Sequence, residues 1–445
     1  MDLTPHGYHV GPTTWFYLSL LLVLAVFFRF HRVWSLRNVD LALLLSTSPG
    51  LLLVQSENQR MLGYGWLFVV SGILLVRLLF DSFFVRRPHT VQNLNPAGMG
   101  FLCAAAFVLL TMHAVSVPLP ESTEYTLQRA DDLITRTDRT EAEESTEPAE
   151  QVEAGPTPAL LGAPIKVMFD HLAPKVMSMA AHLAVIIGLL FAGRNLFGDL
   201  QLGLAMATLY SLLPCTAYDV GEFNHVLPAA LIVWAIVAYR KPYVSGSLMG
   251  MACGTLFFPL FLVPLWTVFY GRKQGARFLL ALGVVFAGLL TSSMLTAADP
   301  DSFWRQTVGT IRLQVLAFEG GQQVEGFWGA GEYGSPYRIP VIVAYFLMLI
   351  VLTIWPRTKN VEHLIARSAA LIVGTQFWYP QQGGVYLLWY LPIFLMVVFR
   401  PRLTRLELAD PSDGSTTVTS TRLSDTPAPR RTSAGGQLQR VQLFR

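Results

Sequence analysis

Charge is scarce in this sequence. Only 14% of its 445 residues are Asp, Glu, Lys or Arg, against about 25% in soluble globular domains, and 53% are hydrophobic. That shortfall excludes an ordinary soluble domain and indicates a membrane protein. Lysine is rarer still, at five of the 32 basic residues. Cysteine is limited to Cys103, Cys215 and Cys253. They have no CxxC spacing and no histidine at ligand spacing, so they read as small packing residues. The phosphate loop GxxxxGK[ST], HExxH, GxSxG and a dinucleotide fingerprint in strand–helix context are all missing. ATP-driven transport by this chain alone is thereby disfavoured. No helix interior carries the run of ionisable residues expected of a proton relay. Met1 to Thr14 hold no Lys or Arg, and the first apolar run leads into "RFHRVW". We therefore expect a retained first membrane helix and not a cleaved signal peptide.

What the sequence has in abundance is long apolar runs. A spanning helix needs roughly 20 mostly apolar residues. That ruler predicts an all-α polytopic bundle with spans near 14–30, 38–55, 62–80, 97–117, 176–193, 198–216, 225–239, 277–297, 339–355, 362–379 and 384–399, about eleven in all. The stretch 244–270 lies between two basic turns, "YRKP" and "GRKQGAR", so it must form a hairpin, either crossing twice as short helices or entering and returning. Pro259 and Pro264 supply the break, because proline lacks the amide donor and clashes with the preceding turn. Gly246, Gly250 and Gly254 recur every fourth residue, a spacing that lets another helix approach closely.

The net charge of +3 hides two opposite regions. Residues 118–165 hold eleven acids against three arginines, a local charge of 3 − 11 = −8, and no nucleic-acid partner is implied. Basic turns follow the first, third and seventh spans. By the positive-inside rule this predicts an inner-membrane protein with its N-terminus outside and its C-terminus in the cytoplasm. The expected divisions are an N-terminal four-helix block at 1–117, an acidic unstructured external loop at 118–165, a membrane core at 166–403 and an unstructured cytoplasmic tail at 404–445. Arg77 and Asp81, four apart, are expected to pair as a structural, snorkelling couple.

Candidate chemistry is left to the external face. Asp219 and Glu222 in "DVGEFN" are the leading carboxylates for a general base, with Asp170 in "VMFDHLAPK" as substitute. Arg305, Arg312 and Arg338 are candidates for a phosphate, whose oxygens match the guanidinium fork. His225, Trp328, Gln381 and Gln382 are candidates for a sugar, since hydroxyls need paired hydrogen-bond partners and sugar C–H faces pack on rings. The bland reading of each is loop polarity or the aromatic belt found at any membrane interface. No cofactor is expected, and a divalent metal would be compatible with the acids.

The stretch from "YSLLPCTAYDVGEFNH" to "GRKQGARF" resembles the multi-spanning GT-C membrane glycosyltransferases of the polyprenyl-phosphate-mannose type. The parts that carry the resemblance are Pro214, the "DVGEFN" loop, "YRKP", Gly246 with Gly250, Pro259 and "GRKQGAR". The terminal "TQFWYPQQGGVYLLWYLPIFL" is similar to that family's last helix pair. The resemblance covers roughly residues 176–400. It implies inverting transfer of a sugar from a polyprenyl-phosphate donor, with an external carboxylate taking the acceptor's proton, basic groups holding the phosphate, and membrane lipid as surroundings. Two parts of that pattern are absent. The turn after the first helix reads as cytoplasmic, which makes Asp40 a poor base, and no lysine stands between Gly254 and Pro259. The alternative is a non-catalytic membrane protein, either a transporter of lipid-linked or small polar solutes or an assembly partner.

Overall fold

The computed structural model describes residues 12–84, 92–118, 120–135, 154–297, 303, 326–328, 337–355, 360–380 and 382–401. Its described residues are helical, with no strand among them. Five helical segments are long and apolar enough to cross a membrane, and four shorter apolar helices accompany them. In chain order the helices are α1 (Pro12–Phe27), α2 (Leu36–Gln55), α3 (Arg60–Leu79), α4 (Pro96–Ser116), α5 (Glu121–Thr135), α6 (Pro156–Phe169), α7 (Ala173–Phe191) and α8 (Leu200–Leu212). They continue with α9 (Pro214–Tyr218), α10 (Phe223–Val237), α11 (Pro242–Cys253), α12 (Leu262–Thr296), α13 (Arg338–Ile354), α14 (Val361–Trp378) and α15 (Leu391–Phe399).

Apolar residues run all around α8, α10, α14 and α15, and these helices form the centre; every residue of α15 is buried. A helix apolar on all sides belongs in a core or a membrane. The outer helices α1, α3, α4, α12 and α13 instead expose large side chains such as Leu21, Val69, Phe101, Val284 and Val343, the faces expected against lipid. Only nine residues of the expected span 384–399 are α-helical, preceded by the short 3-10 turn Leu387–Trp389. That irregular backbone is buried in protein, where such geometry is tolerated at membrane depth.

The hairpin forms as expected, with one adjustment. Helix α11 stops at Cys253, Pro259 sits in the 3-10 turn Phe258–Phe261, and α12 returns. Pro264 lies in the first turn of α12, a position where its missing donor costs nothing; it does not make the break. Helix α12 then turns back at Gly271, whose φ of 69° favours glycine. The glycine seam packs on the part of α12 beyond Gly271. A Cβ on Gly246 would strike the Phe278 carbonyl oxygen, and one on Gly250 would sit 3.1 Å from that of Leu282. We expect Gly246→Leu to cost about 1–3 kcal/mol by overpacking, read as a lower thermal midpoint in detergent. Gly283→Leu, on the same α12 but facing open space, should leave the midpoint unchanged.

The acidic stretch departs from expectation. Where composition predicts no structure, α5 and α6 are helical. Thr123, Thr126, Leu127 and Ala130 are buried, the i, i+3, i+4, i+7 face of an amphipathic helix. Two of the four are threonines, so the face is not conspicuously apolar in the sequence.

Contacts sort the helix termini into two ends. At one end the Asn38 side chain binds the backbone of Arg29, Arg32 and Val33. There Arg77 chelates Asp40 at 2.7 and 3.0 Å and meets Asp81 at 2.9 Å. Arg400 joins Asp81 to Glu362. The expected Arg77–Asp81 pair thus exists, but it is buried in a network and does not snorkel. At the other end Trp15 stacks on His113 at 6.1 Å, Lys175 donates to the Val115 carbonyl, and the "DVGEFN" loop lies.

Candidate functional site

The loop 219–222 links the short helix α9 to α10 and is fixed from two sides. From within the bundle, the Val220 carbonyl accepts from Ser178 Oγ and from His182 Nε2 at 3.2 Å. With Nε2 donating, His182 Nδ1 accepts from the Tyr210 hydroxyl at 2.8 Å. From above, α5 lays its first turns on the loop. Ser122 donates to the Glu222 carboxylate at 2.5 Å, and Thr123 to the Gly221 carbonyl at 3.2 Å. Asn224 donates to the Ser122 carbonyl at 3.0 Å and to Thr126 at 2.9 Å. These bonds hold the polar backbone of the loop in a partly buried place.

Asp219 and Glu222 are brought together, and their environments differ. Glu222 has the Ser122 hydroxyl. Among the described residues nothing hydrogen-bonds the Asp219 carboxylate, which is partly buried. Burial, and then the nearby Glu222 charge, push its pKa well above the ordinary carboxylate range. Such a carboxyl is a stronger base once ionised, a property suited to proton abstraction near neutral pH.

Aromatic rings line the loop's inner side. His225 meets Tyr386 edge-on at 5.0 Å and Trp389 at 5.9 Å, and those two stack at 4.3 Å. Tyr386 is close enough to Asp219 and Glu222 to feel both charges. His225 therefore joins the cluster, with its buried Nδ1 unpartnered. Trp328 and Gln382 lie at the same end along the neighbouring segment. The Trp328 indole donates to the Phe377 carbonyl at 2.9 Å, and the backbone of Gln382 abuts Gly326.

The other candidates stand apart or out of view. Asp170 is exposed beside Lys166 at 3.6 Å, with no contact to Asp219 or Glu222 recorded among the described residues. Arg338 is buried and donates from Nε and Nη2 to the Trp378 carbonyl at 3.2 and 3.0 Å, closing the C-terminus of α14. Arg305, Arg312 and Gln381 lie outside the described residues. Sequence reasoning missed Arg60 and Tyr64 at the start of α3, both close enough to Tyr218 to act on it electrostatically. A lone arginine in a turn on the side that the basic loops avoid was the available signal. Among the described residues no group of three or more His, Cys, Asp or Glu could hold a metal ion.

Comparison with known families matches residues 155–378 to glycosyltransferase family 87, half of the 445-residue chain. The chain belongs to glycosyltransferase family 87. No curated protein and no solved structure matches it. The match runs from α6 to the end of α14 and holds Asp219, Glu222 and His225. The rest of the cluster in this family 87 protein comes from flanking segments: Arg60 and Tyr64 from α3, Ser122 from α5, and Tyr386 and Trp389 from the approach to α15. Its apolar helices make it a multi-pass membrane glycosyltransferase.

Proposed function

We propose that this glycosyltransferase moves a sugar from a polyprenyl-phosphate donor to an acceptor hydroxyl on the extracytoplasmic side, with Asp219 as the general base. The observation that carries the reading is the Asp219 carboxylate. It lacks a hydrogen-bond donor among the described residues and lies at the end of the bundle away from the basic turns. Glu222, held by Ser122, keeps the Asp219 proton affinity high and is a positioning residue. The distribution of arginines supports the orientation, since Arg29, Arg32, Arg37, Arg77 and Arg400 all cluster at the opposite end. A membrane-embedded donor accounts for a site set at the ends of apolar helices, where the phosphate of a lipid and its sugar would sit at the interface.

The decisive assay offers the purified protein in nanodiscs a polyprenyl-phosphate-linked sugar and, separately, the matching nucleotide sugar. Transfer from the lipid-linked donor with release of polyprenyl phosphate is the expected result; transfer from the nucleotide sugar alone would end the proposal. In sealed vesicles, activity should appear only when the end bearing Asp219 faces the acceptor. Among the described residues, Arg60 lies close enough to Tyr218, the neighbour of Asp219, to act on it, which makes it a candidate to meet the donor phosphate. Arg60→Gln should lower kcat/KM for the donor by about tenfold or more, the loss of one charge-assisted hydrogen bond, as read from initial rates at varied donor.

A further inference from the structure

The turn that carries the two carboxylates has a choice built into it. The Glu222 amide donates to the Asp219 carbonyl at 3.0 Å, which closes a β-turn over residues 219–222. The central peptide of such a turn, here Val220–Gly221, has two orientations. One leaves the third residue at negative φ; the other needs positive φ, which glycine accepts without strain. Gly221 permits both, and in the structure it lies outside the left-handed region. The Val220 carbonyl thus takes one of two directions, the one that faces α7.

Two side chains of α7 meet it there. Ser178 and His182 stand four residues apart on one helix face. Ser178 Oγ and His182 Nε2 both donate to the Val220 oxygen, the second at 3.2 Å, and all three residues are buried. One donor is enough to satisfy a buried carbonyl; this one has two from the same helix. Thr208 and Ser211 of the neighbouring α8 give their hydroxyls to carbonyls of their own helix at 2.7 and 3.0 Å, a common arrangement. Ser178 reaches out of its helix instead. The His182 ring is itself fixed, because the Tyr210 hydroxyl meets Nδ1 at 2.8 Å and leaves Nε2 to carry the N–H. The Thr216 hydroxyl, from α9, donates to the Tyr210 carbonyl at 2.6 Å, so one residue of α8 holds both the histidine and the chain entering the turn.

We propose that Ser178 and His182 are positioning residues for the transfer. By holding the Val220 carbonyl they select one of the two orientations of the turn, and so set where the Asp219 carboxylate stands relative to Glu222. The far side of the turn supports the same orientation, since the Gly221 carbonyl accepts from Thr123 at 3.2 Å and from the Phe223 amide at 2.9 Å. This inference rests on the reading of Asp219 as base, and its test separates the two.

Hydrogen exchange of the protein in nanodiscs reads the turn itself, and donor kinetics read the consequence. His182→Leu removes one donor and Ser178→Ala the other, whereas His182→Gln keeps an amide N–H where Nε2 stood. The amides of 216–224 should exchange about tenfold faster in His182→Leu and in Ser178→Ala, the effect of one lost hydrogen bond, and at the parent rate in His182→Gln. Per folded molecule, kcat should fall by about tenfold or more in the first two with KM for the lipid-linked donor unchanged, because a displaced base costs rate and not binding. His182→Gln should restore it. Ser178→Ala, the smaller deletion, carries the test where His182→Leu fails to fold. A role confined to folding would lower the thermal midpoint and the folded fraction but leave kcat per folded molecule untouched. That result, or unchanged exchange over 216–224, overturns the proposal. Parent rates in Asp219→Asn, with the exchange pattern as expected, would instead remove the base reading and with it the catalytic purpose of the two donors.

Discussion

Asp219→Asn is expected to lower transfer by about 10²–10⁴-fold, the range for losing a general base, with little change in thermal midpoint. The amide keeps the shape of the side chain and removes only its ability to accept a proton. Glu222→Gln should be far milder in rate and should leave a signature in the pH profile. Burial and the neighbouring Glu222 charge hold the Asp219 carboxyl well above the ordinary range. The base must be ionised to act, so kcat/KM should fall as pH drops through this raised value. Removing the Glu222 charge favours ionisation of Asp219, which moves the acid limb to lower pH. Ser122→Ala, which deletes the donor to Glu222, frees that carboxylate and should disturb the same limb. A pH profile of kcat/KM for the four proteins decides the matter. Wild-type rates in Asp219→Asn would remove the base assignment.

Arg77→Met is expected to destabilise the bundle by about 3–5 kcal/mol, the cost of removing one partner from a buried ion pair. Arg77 is 6% exposed and Asp40 1%, so Asp40 would be a buried charge that has lost both bonds from Arg77. Asp81 would keep Arg400. Arg400 carries the network on from Asp81 to Glu362. Arg37 contributes through the rings of Phe27 and Phe399, 6.0 and 5.1 Å from its guanidinium carbon, in a cation–π arrangement. The double variant Arg77→Met with Asp40→Leu should recover most of the loss, because a well-packed apolar pair avoids the desolvation that the ions suffer. Unfolding in a mild detergent measures both. A single variant as stable as the parent would mean that the cluster contributes nothing once desolvation is counted.

The helices of this protein were legible because lipid leaves them little choice. Backbone groups at membrane depth must pair within the segment, so apolar length alone located nearly every helix. Pairs of basic turns on the same side required the hairpin at 244–270, and the glycine spacing announced a close helix contact that Phe278 and Leu282 supply. The "DVGEFN" carboxylates were legible too, as acids in a short turn opposite the basic loops. Their difference was not. Ser122 reaches Glu222 across 100 residues, from a segment whose acidic composition concealed a helix with threonines on its buried face. Arg400 reaches Asp81 across 319 residues, and Tyr386 closes on the loop from beyond the family match. Local pattern therefore determined which apolar segments are helices and which turns are polar. Which carboxylate stays without a donor, which arginine is tied to a carbonyl, and which side chains hold the Val220 carbonyl were decided only by packing, because each depends on side chains that meet from distant parts of the chain.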